Sequence, residues 1–146
     1  MTTPPLATIG YERATLDDVI GRLKAAQVEV VVDVRAVAAS RRPGFSKTML
    51  GASLNAAGIG YRHLRGLGTP KAGRDAARAG RTNEMRAIFA EHLAEPQAQL
   101  ELAEACEIAS GKRAALLCFE ADASKCHRAI VAHLIRDQLG CAVVDL

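Results

Sequence analysis

A chain of 146 residues, 49% hydrophobic and 24% charged, is long enough to bury a hydrophobic core and too apolar to be a disordered tail. Its formal charge of +3 falls short of the concentrated basic surface of a dedicated DNA-binding protein, and aromatics at 3% with no Trp offer little of the stacking platform that single strands require. No apolar run approaches a membrane span, Met1–Leu6 has no signal-peptide pattern, and four irregularly spaced cysteines are expected as reduced thiols. These features point to a soluble cytoplasmic protein.

Residues 7–10 form a short apolar run ending in glycine and read as a first strand. Thr15 caps a helix reaching about Gln27, with Leu16, Val19, Ile20 and Leu23 on one face and Asp17 and Asp18 in the first turn. The β-branched run Glu29–Val34 has the pattern of a strand buried on both faces. After a polar segment with a Pro43-Gly44 turn, a helix is expected from Lys47 to Ala57, carrying Met49, Leu50 and Leu54 inward and ending at Gly58. Residues 59–64 read as a third strand. Four glycines, one proline and five basic residues make 65–81 a long loop or flexible flap.

The helical period returns at Thr82 through Met85, Ile88, Phe89 and Leu93, and Pro96 opens a further helix closed by Gly111. The apolar core of 113–120 marks the clearest strand. A last helix is expected from Lys125 to Leu139, ending at Gly140, and a last strand over 141–146. Strands alternating with helices imply a single three-layer α/β domain, a mostly parallel, Rossmann-like sheet with helices on both faces. Ligands of such sheets bind outside the carboxyl ends of the strands, and three of those ends carry chemical groups: Tyr11-Glu12, Asp33-Val34-Arg35 and Cys118-Phe119-Glu120.

The sharpest local signal is Cys118-Phe119-Glu120, five residues, and then Cys126-His127-Arg128 opening a helix. A thiol at a helix N-terminus meets oriented N–H groups and the positive end of the helix dipole, and both stabilise a thiolate. The same geometry holds an anion. Cys126 therefore reads either as a nucleophile or as a residue of an anion pocket, with packing as the third possibility; Glu120 orients Arg128 or acts as a base. Cys118 inside an apolar strand, like Cys106 and Cys141, reads as core. Arg35, just past a buried strand, can hold phosphate or carboxylate with its fork, or simply pair with Asp33. His63 shares a strand face with Tyr61, and His92 and His133 read as structural. No CxxC pair or common zinc spacing occurs, and no glycine-rich nucleotide loop, so neither metal nor cofactor is expected.

In order, Thr8-Ile9-Gly10-Tyr11-Glu12, Val32-Asp33-Val34-Arg35, Ser40-Arg41-Arg42-Pro43-Gly44-Phe45-Ser46, Gly58-Ile59-Gly60-Tyr61-Arg62-His63-Leu64 with Leu67-Gly68, and Cys118-Phe119-Glu120 with Cys126-His127-Arg128 resemble the domain-of-unknown-function family 488. The resemblance runs from residue 8 to at least 135. It implies a compact α/β fold with the motif residues gathered in one pocket: Tyr11, Asp33, Arg35, Ser40, Arg41, Tyr61, His63, Cys118, Glu120, Cys126, His127 and Arg128. It implies no reaction. The chain departs from the family pattern at Ala36-Val37-Ala38-Ala39, where proline is frequent.

The resulting expectation is an enzyme acting on an anionic, phosphate-containing or nucleic-acid-related substrate. Cys126, Glu120, His127 and His63 would carry the chemistry, and Tyr11, Arg35, Ser40, Arg41, Tyr61, Cys118 and Arg128 would bind substrate. The rival expectation is a non-catalytic module that binds nucleic acid or another anion through the same arginines.

Overall fold

The computed structural model describes residues 3–146; Met1 and Thr2 of the N-terminal segment lie outside the described residues. In chain order the elements are β1 (Leu6–Gly10), α1 (Leu16–Ala25), β2 (Val30–Asp33), α2 (Lys47–Ala56), β3 (Gly60–His63), α3 (Lys71–Arg78), α4 (Thr82–Leu93), α5 (Pro96–Gly111), β4 (Ala114–Cys118), α6 (His127–Leu139) and β5 (Val143–Asp145). Short 3-10 turns occupy Arg65–Leu67 and Ala123–Lys125.

The five strands form one parallel sheet in the order β3-β2-β4-β1-β5. Every residue of β1, β2 and β4 is buried, as their apolar, non-alternating sequences require of strands covered on both faces. One face packs Ile9, Val31 and Leu117 against Val19 and Leu23 of α1 and Leu50 and Leu54 of α2. The other packs Val32, Leu116 and Cys118 against Ala76 of α3, Phe89 of α4, Ala105 of α5 and Val131 of α6. This is the three-layer α/β arrangement expected from the alternation of elements.

Local signals place most helix ends. Thr15 accepts a hydrogen bond from the Asp18 N–H at 3.1 Å, and the Asp18 carboxylate accepts one from the Thr15 N–H at 3.4 Å, a reciprocal capping box. Two expectations fail. Residues 65–81 are not a continuous loop, because α3 forms within them. Its small residues Gly73 and Ala76 face the core while Lys71 pairs with Asp75 at 3.0 Å on the exposed side, so glycine here permits close packing against Thr69 and Ile88. Met49, expected inward on α2, is 60% exposed; only Leu50, Gly51 and Leu54 of that helix are buried.

The topology sets the site. β4 lies between β2 and β1, with Gly10 opposite Cys118 and Asp33 opposite Leu117, so the chain leaves all three strands along one short stretch of the sheet's carboxyl edge. Gly10 is required there: a Cβ on it would collide with the backbone carbonyl of Glu120.

Candidate functional site

The first group at this edge is a buried polar network around Asp33, which is fully buried. Its Oδ1 accepts from the backbone N–H of Arg35 at 3.1 Å and from Arg35 Nε at 2.9 Å; its Oδ2 accepts from Arg35 Nη2 at 2.7 Å and from the Tyr61 hydroxyl at 2.6 Å. Arg35 Nη1 donates to the Tyr11 hydroxyl at 3.0 Å and to the carbonyl of Phe45 at 2.8 Å. The Tyr11 ring stacks on Phe45 with centroids 4.3 Å apart. Burial alone would lower the Arg35 pKa, but the hydrogen bonds and charge of Asp33 outweigh it and hold the guanidinium protonated far above its ordinary range. Burial and the bond to Asp33 push the Tyr61 phenol well up. Arg35 thus has its donors engaged inside the protein, and its surface is only 5% exposed.

The polar segment after β2 is tied down by its serines. The Ser40 N–H donates to Ser46 Oγ at 3.0 Å, Ser40 Oγ accepts from the Arg42 N–H at 3.1 Å, and Arg42 Nη2 donates to the carbonyl of Ala14 at 2.7 Å. Arg41 is exposed.

The second group joins β4 to α6. The sulfurs of Cys118 and Cys126 are brought against each other, but their Cα atoms stand 7.6 Å apart, beyond the span of a disulfide, so the two form an adjacent cysteine pair; Cys106 and Cys141 are free and buried. The sequence separation of 8 matches no familiar cysteine motif, and the fold supplies the proximity: the segment after β4 turns back at Ala123–Lys125, so that Cys126 caps α6 beside the end of the strand. The Glu120 carboxylate approaches Cys118 Sγ at 3.6 Å. One ligand atom from each of Cys118, Glu120 and Cys126 falls within 4.8 Å of the others, a grouping that the sequence, read for zinc spacing, did not anticipate.

His127 and Arg128 flank this pair. His127 Nε2 lies 2.7 Å from the carbonyl of Val34, an acceptor, so Nε2 carries the proton and donates; Nδ1 is then the bare nitrogen, 3.5 Å from Cys126 Sγ. Burial, aided by the charge of Arg128 and only partly offset by the bond to Val34, lowers the His127 pKa to about 4. The ring is a neutral acceptor at neutral pH. Arg128 is completely buried. Its Nη1 donates to Cys118 Sγ at 3.0 Å and to the Glu120 carbonyl, and its Nη2 donates to the Ala121 carbonyl at 3.2 Å. Its Nε has no partner, and among the described residues no carboxylate lies within ion-pair distance. Glu120 thus reaches Arg128 through its carbonyl, where a side-chain contact was expected. Burial lowers the Arg128 pKa.

Beside these groups opens a cleft of about 1090 Å³, lined by Ala36–Ala39, Lys47, His63, Arg65, Arg74, Glu95 and Glu101 among others. Lys47, Arg65 and Arg74 outnumber the two carboxylates. None of the three is a motif residue; Arg65 and Arg74 fall in the basic 65–81 stretch that the sequence marks out, whereas Lys47, at the start of α2, carries no such signal. His63 Nε2 lies 2.7 Å from the carbonyl of Arg35, so the two consecutive carbonyls of Val34 and Arg35 engage His127 and His63. Ala36, the next residue, lines the cleft. This backbone turn is the link between the two regions, since Cys118, Glu120, Cys126, His127 and Arg128 do not themselves line the cleft, nor do Tyr11, Arg35 and Tyr61 of the Asp33 network.

Compared with protein families, the chain matches over residues 15–135 the model described as Domain of unknown function DUF488, leaving the Thr8–Glu12 motif outside the match. No curated protein and no solved structure matches it.

Proposed function

Starting from the premise that the chain belongs to the DUF488 family, whose description carries no reaction, we propose that it is a cytoplasmic thiol-dependent enzyme acting on an anionic, phosphate-containing substrate. The observation that carries this reading is the orientation of His127: the Val34 carbonyl fixes the proton on Nε2, so Nδ1 faces Cys126 as an acceptor. This nitrogen takes the Cys126 thiol proton as the sulfur bonds to the phosphorus of the substrate, and the phosphorus–oxygen bond to the leaving group breaks with its electron pair going to that oxygen. The depressed pKa leaves His127 unprotonated at neutral pH but a weak base, so it takes the proton only as the sulfur forms its bond to the substrate. Cys126 also caps α6, where unpaired N–H groups and the helix dipole favour sulfur anion.

The anion-binding role expected of Arg35 and Arg128 moves in this account to Lys47, Arg65 and Arg74, because the first two have most of their donors bound to protein acceptors. Arg35 holds the β2 end in shape, and His63, bonded to the Arg35 carbonyl, sits on the cleft wall to move protons. Glu120, close to Cys118, is the remaining acid/base group.

The test is a turnover screen of the fully reduced protein against phosphate esters, nucleotides and oligonucleotides, run beside Cys126→Ser. The account expects turnover that Cys126→Ser abolishes while ligand binding survives. The mixed charge of the cleft favours a second reading, a non-catalytic anion-binding module, for which binding without turnover in either protein is the signature.

A further inference from the structure

The side chains of Cys118 and Cys126 point at each other across a Cα separation of 7.6 Å. In a disulfide the sulfurs bond directly and the Cα atoms stand about 5.5 to 6 Å apart. A tetrahedral zinc ion between two sulfurs parts them to about 3.8 Å, and the same increment carries the Cα atoms to about 7.5 Å. The backbone of this pair thus has the spacing of two ligands on one ion. A third donor agrees with that geometry. Oxygen and sulfur on a tetrahedral zinc ion lie about 3.6 Å apart, and the Glu120 carboxylate approaches Cys118 Sγ at 3.6 Å. The three ligand atoms of Cys118, Glu120 and Cys126 all lie within 4.8 Å of one another.

We propose that Cys118, Cys126 and the Glu120 carboxylate bind a divalent cation of the zinc class, with solvent in the fourth position. Both sulfurs bind as thiolates, and the two thiol protons pass to solvent. The ligands sit on fixed elements, since Cys118 ends β4 and Cys126 caps α6. Arg128 pins the segment between them by donating to the carbonyls of Glu120 and Ala121. That grip is on the backbone, and the Glu120 carboxylate forms no ion pair among the described residues. Arg128 Nη1 also donates to Cys118 Sγ at 3.0 Å, the kind of outer bond that orients a metal-bound ligand. Its charge is compatible with the ion. Two thiolates and one carboxylate balance a dication and one guanidinium, and Asp122 and Asp145 add negative field at Arg128. His127 Nδ1, 3.5 Å from Cys126 Sγ, stands outside the trio. Calcium and magnesium require oxygen ligands and find one carboxylate here. The way in is the turn exposed at Asp122, Ser124 and Lys125.

The consequence of binding, that the ion occupies the nucleophile Cys126 and its removal restores it, rests on the function proposed above. The binding itself does not, and its test reads no turnover, so the two fail separately. The reduced full chain, stripped of metal and then freed of the chelator, is titrated with Zn²⁺ against a chromophoric chelator and with Co²⁺ in the absorption spectrophotometer. One ion per chain is expected, with thiolate-to-cobalt charge-transfer absorption and no displacement by excess Ca²⁺ or Mg²⁺. Zn²⁺ is expected to protect Cys118 and Cys126 from alkylation while the rates at Cys106 and Cys141 stay unchanged. Cys118→Ser and Cys126→Ser are expected to weaken Zn²⁺ binding about a hundredfold and Glu120→Gln about tenfold, with Cys141→Ser unchanged. Glu120→Gln keeps the carbonyl that Arg128 holds, so it decides the matter even where a cysteine variant fails to fold. No binding at one ion per chain, a cobalt complex without charge-transfer absorption, or undiminished affinity in folded Glu120→Gln overturns the proposal.

Discussion

The carbonyl oxygen of Val34 lies 2.7 Å from Nε2 of His127, joining the end of β2 to the first residue of α6 across the carboxyl edge of the sheet. This bond sets the tautomer, and burial sets the charge, lowering the His127 pKa from 6.5 to about 4. The folded state therefore resists a proton that the unfolded chain accepts below pH 6.5. Stability from this residue is complete above that pH and is lost as pH falls toward 4. The full shift corresponds to about 3 kcal/mol, reduced by whatever solvent reaches the partly exposed residue. Urea unfolding between pH 4 and 7 is expected to show this slope, and His127→Gln to flatten it. Equal slopes in both proteins would remove the buried neutral histidine from the account.

At Gly10 the prediction is steric. Its neighbour is the Glu120 backbone carbonyl, which also accepts from Arg128 and cannot swing aside like a flexible side chain. Gly10→Ala is expected to cost about 2 to 3 kcal/mol and to loosen the segment between the two cysteines. Denaturant melts read the first effect, and amide exchange at 119–125 reads the second. A neutral substitution would mean that the loop is not held against β1.

Tyr61→Phe and Asp33→Asn separate the parts of the buried network. Removing the Tyr61 hydroxyl deletes one bond to a charged acceptor and is expected to cost about 2 kcal/mol. Asp33→Asn leaves the Arg35 guanidinium buried without its carboxylate, with an expected cost of about 3 to 5 kcal/mol. The order matters more than the values: if Tyr61→Phe proves the more damaging, Asp33 is not the centre of the network.

The cleft makes a prediction about salt and charge. Lys47 and Arg65 lie on its wall and are exposed. Lys47→Ser with Arg65→Ser is expected to weaken binding of a phosphate-containing ligand about tenfold, equivalent to about 1.4 kcal/mol, and to reduce its salt dependence. Calorimetry at two ionic strengths measures both. Undiminished affinity would place the anion elsewhere.

Much of the fold is legible in the sequence. The β-branched run Val30–Asp33 and the apolar run Ala114–Cys118 announce buried strands, and Thr15 with Asp18 announces a helix start, because each depends on near neighbours in sequence. The convergence of Gly10, Asp33 and Cys118 on one edge followed from the fold class. The pairing of Cys118 with Cys126 did not, since it depends on how the 119–125 segment turns back over Gly10. Nor did α3, whose Gly73 reads as a loop residue until Thr69 and Ile88 are seen packed against it. The roles of Arg35 and Arg128 were open for the same reason: an arginine at a strand end can face a ligand or its own backbone, and only the positions of Asp33, Phe45 and Ala121 decide.

The central claim is that Cys126 is the reactive thiol, and site-resolved alkylation of the fully reduced, folded protein across pH tests it most directly. Cys118, Cys106 and Cys141, buried to a similar degree as Cys126, serve as internal comparisons, so a difference in rate reports on the thiol's surroundings and not on its exposure. The account predicts that at neutral pH Cys126 is modified first, that its rate rises through an apparent pKa below the free-thiol value of about 8.5, and that His127→Gln slows it. If Cys126 reacts no faster than Cys106 and Cys141 and titrates above 8.5, it is a packing cysteine, and the proposed thiol chemistry is wrong.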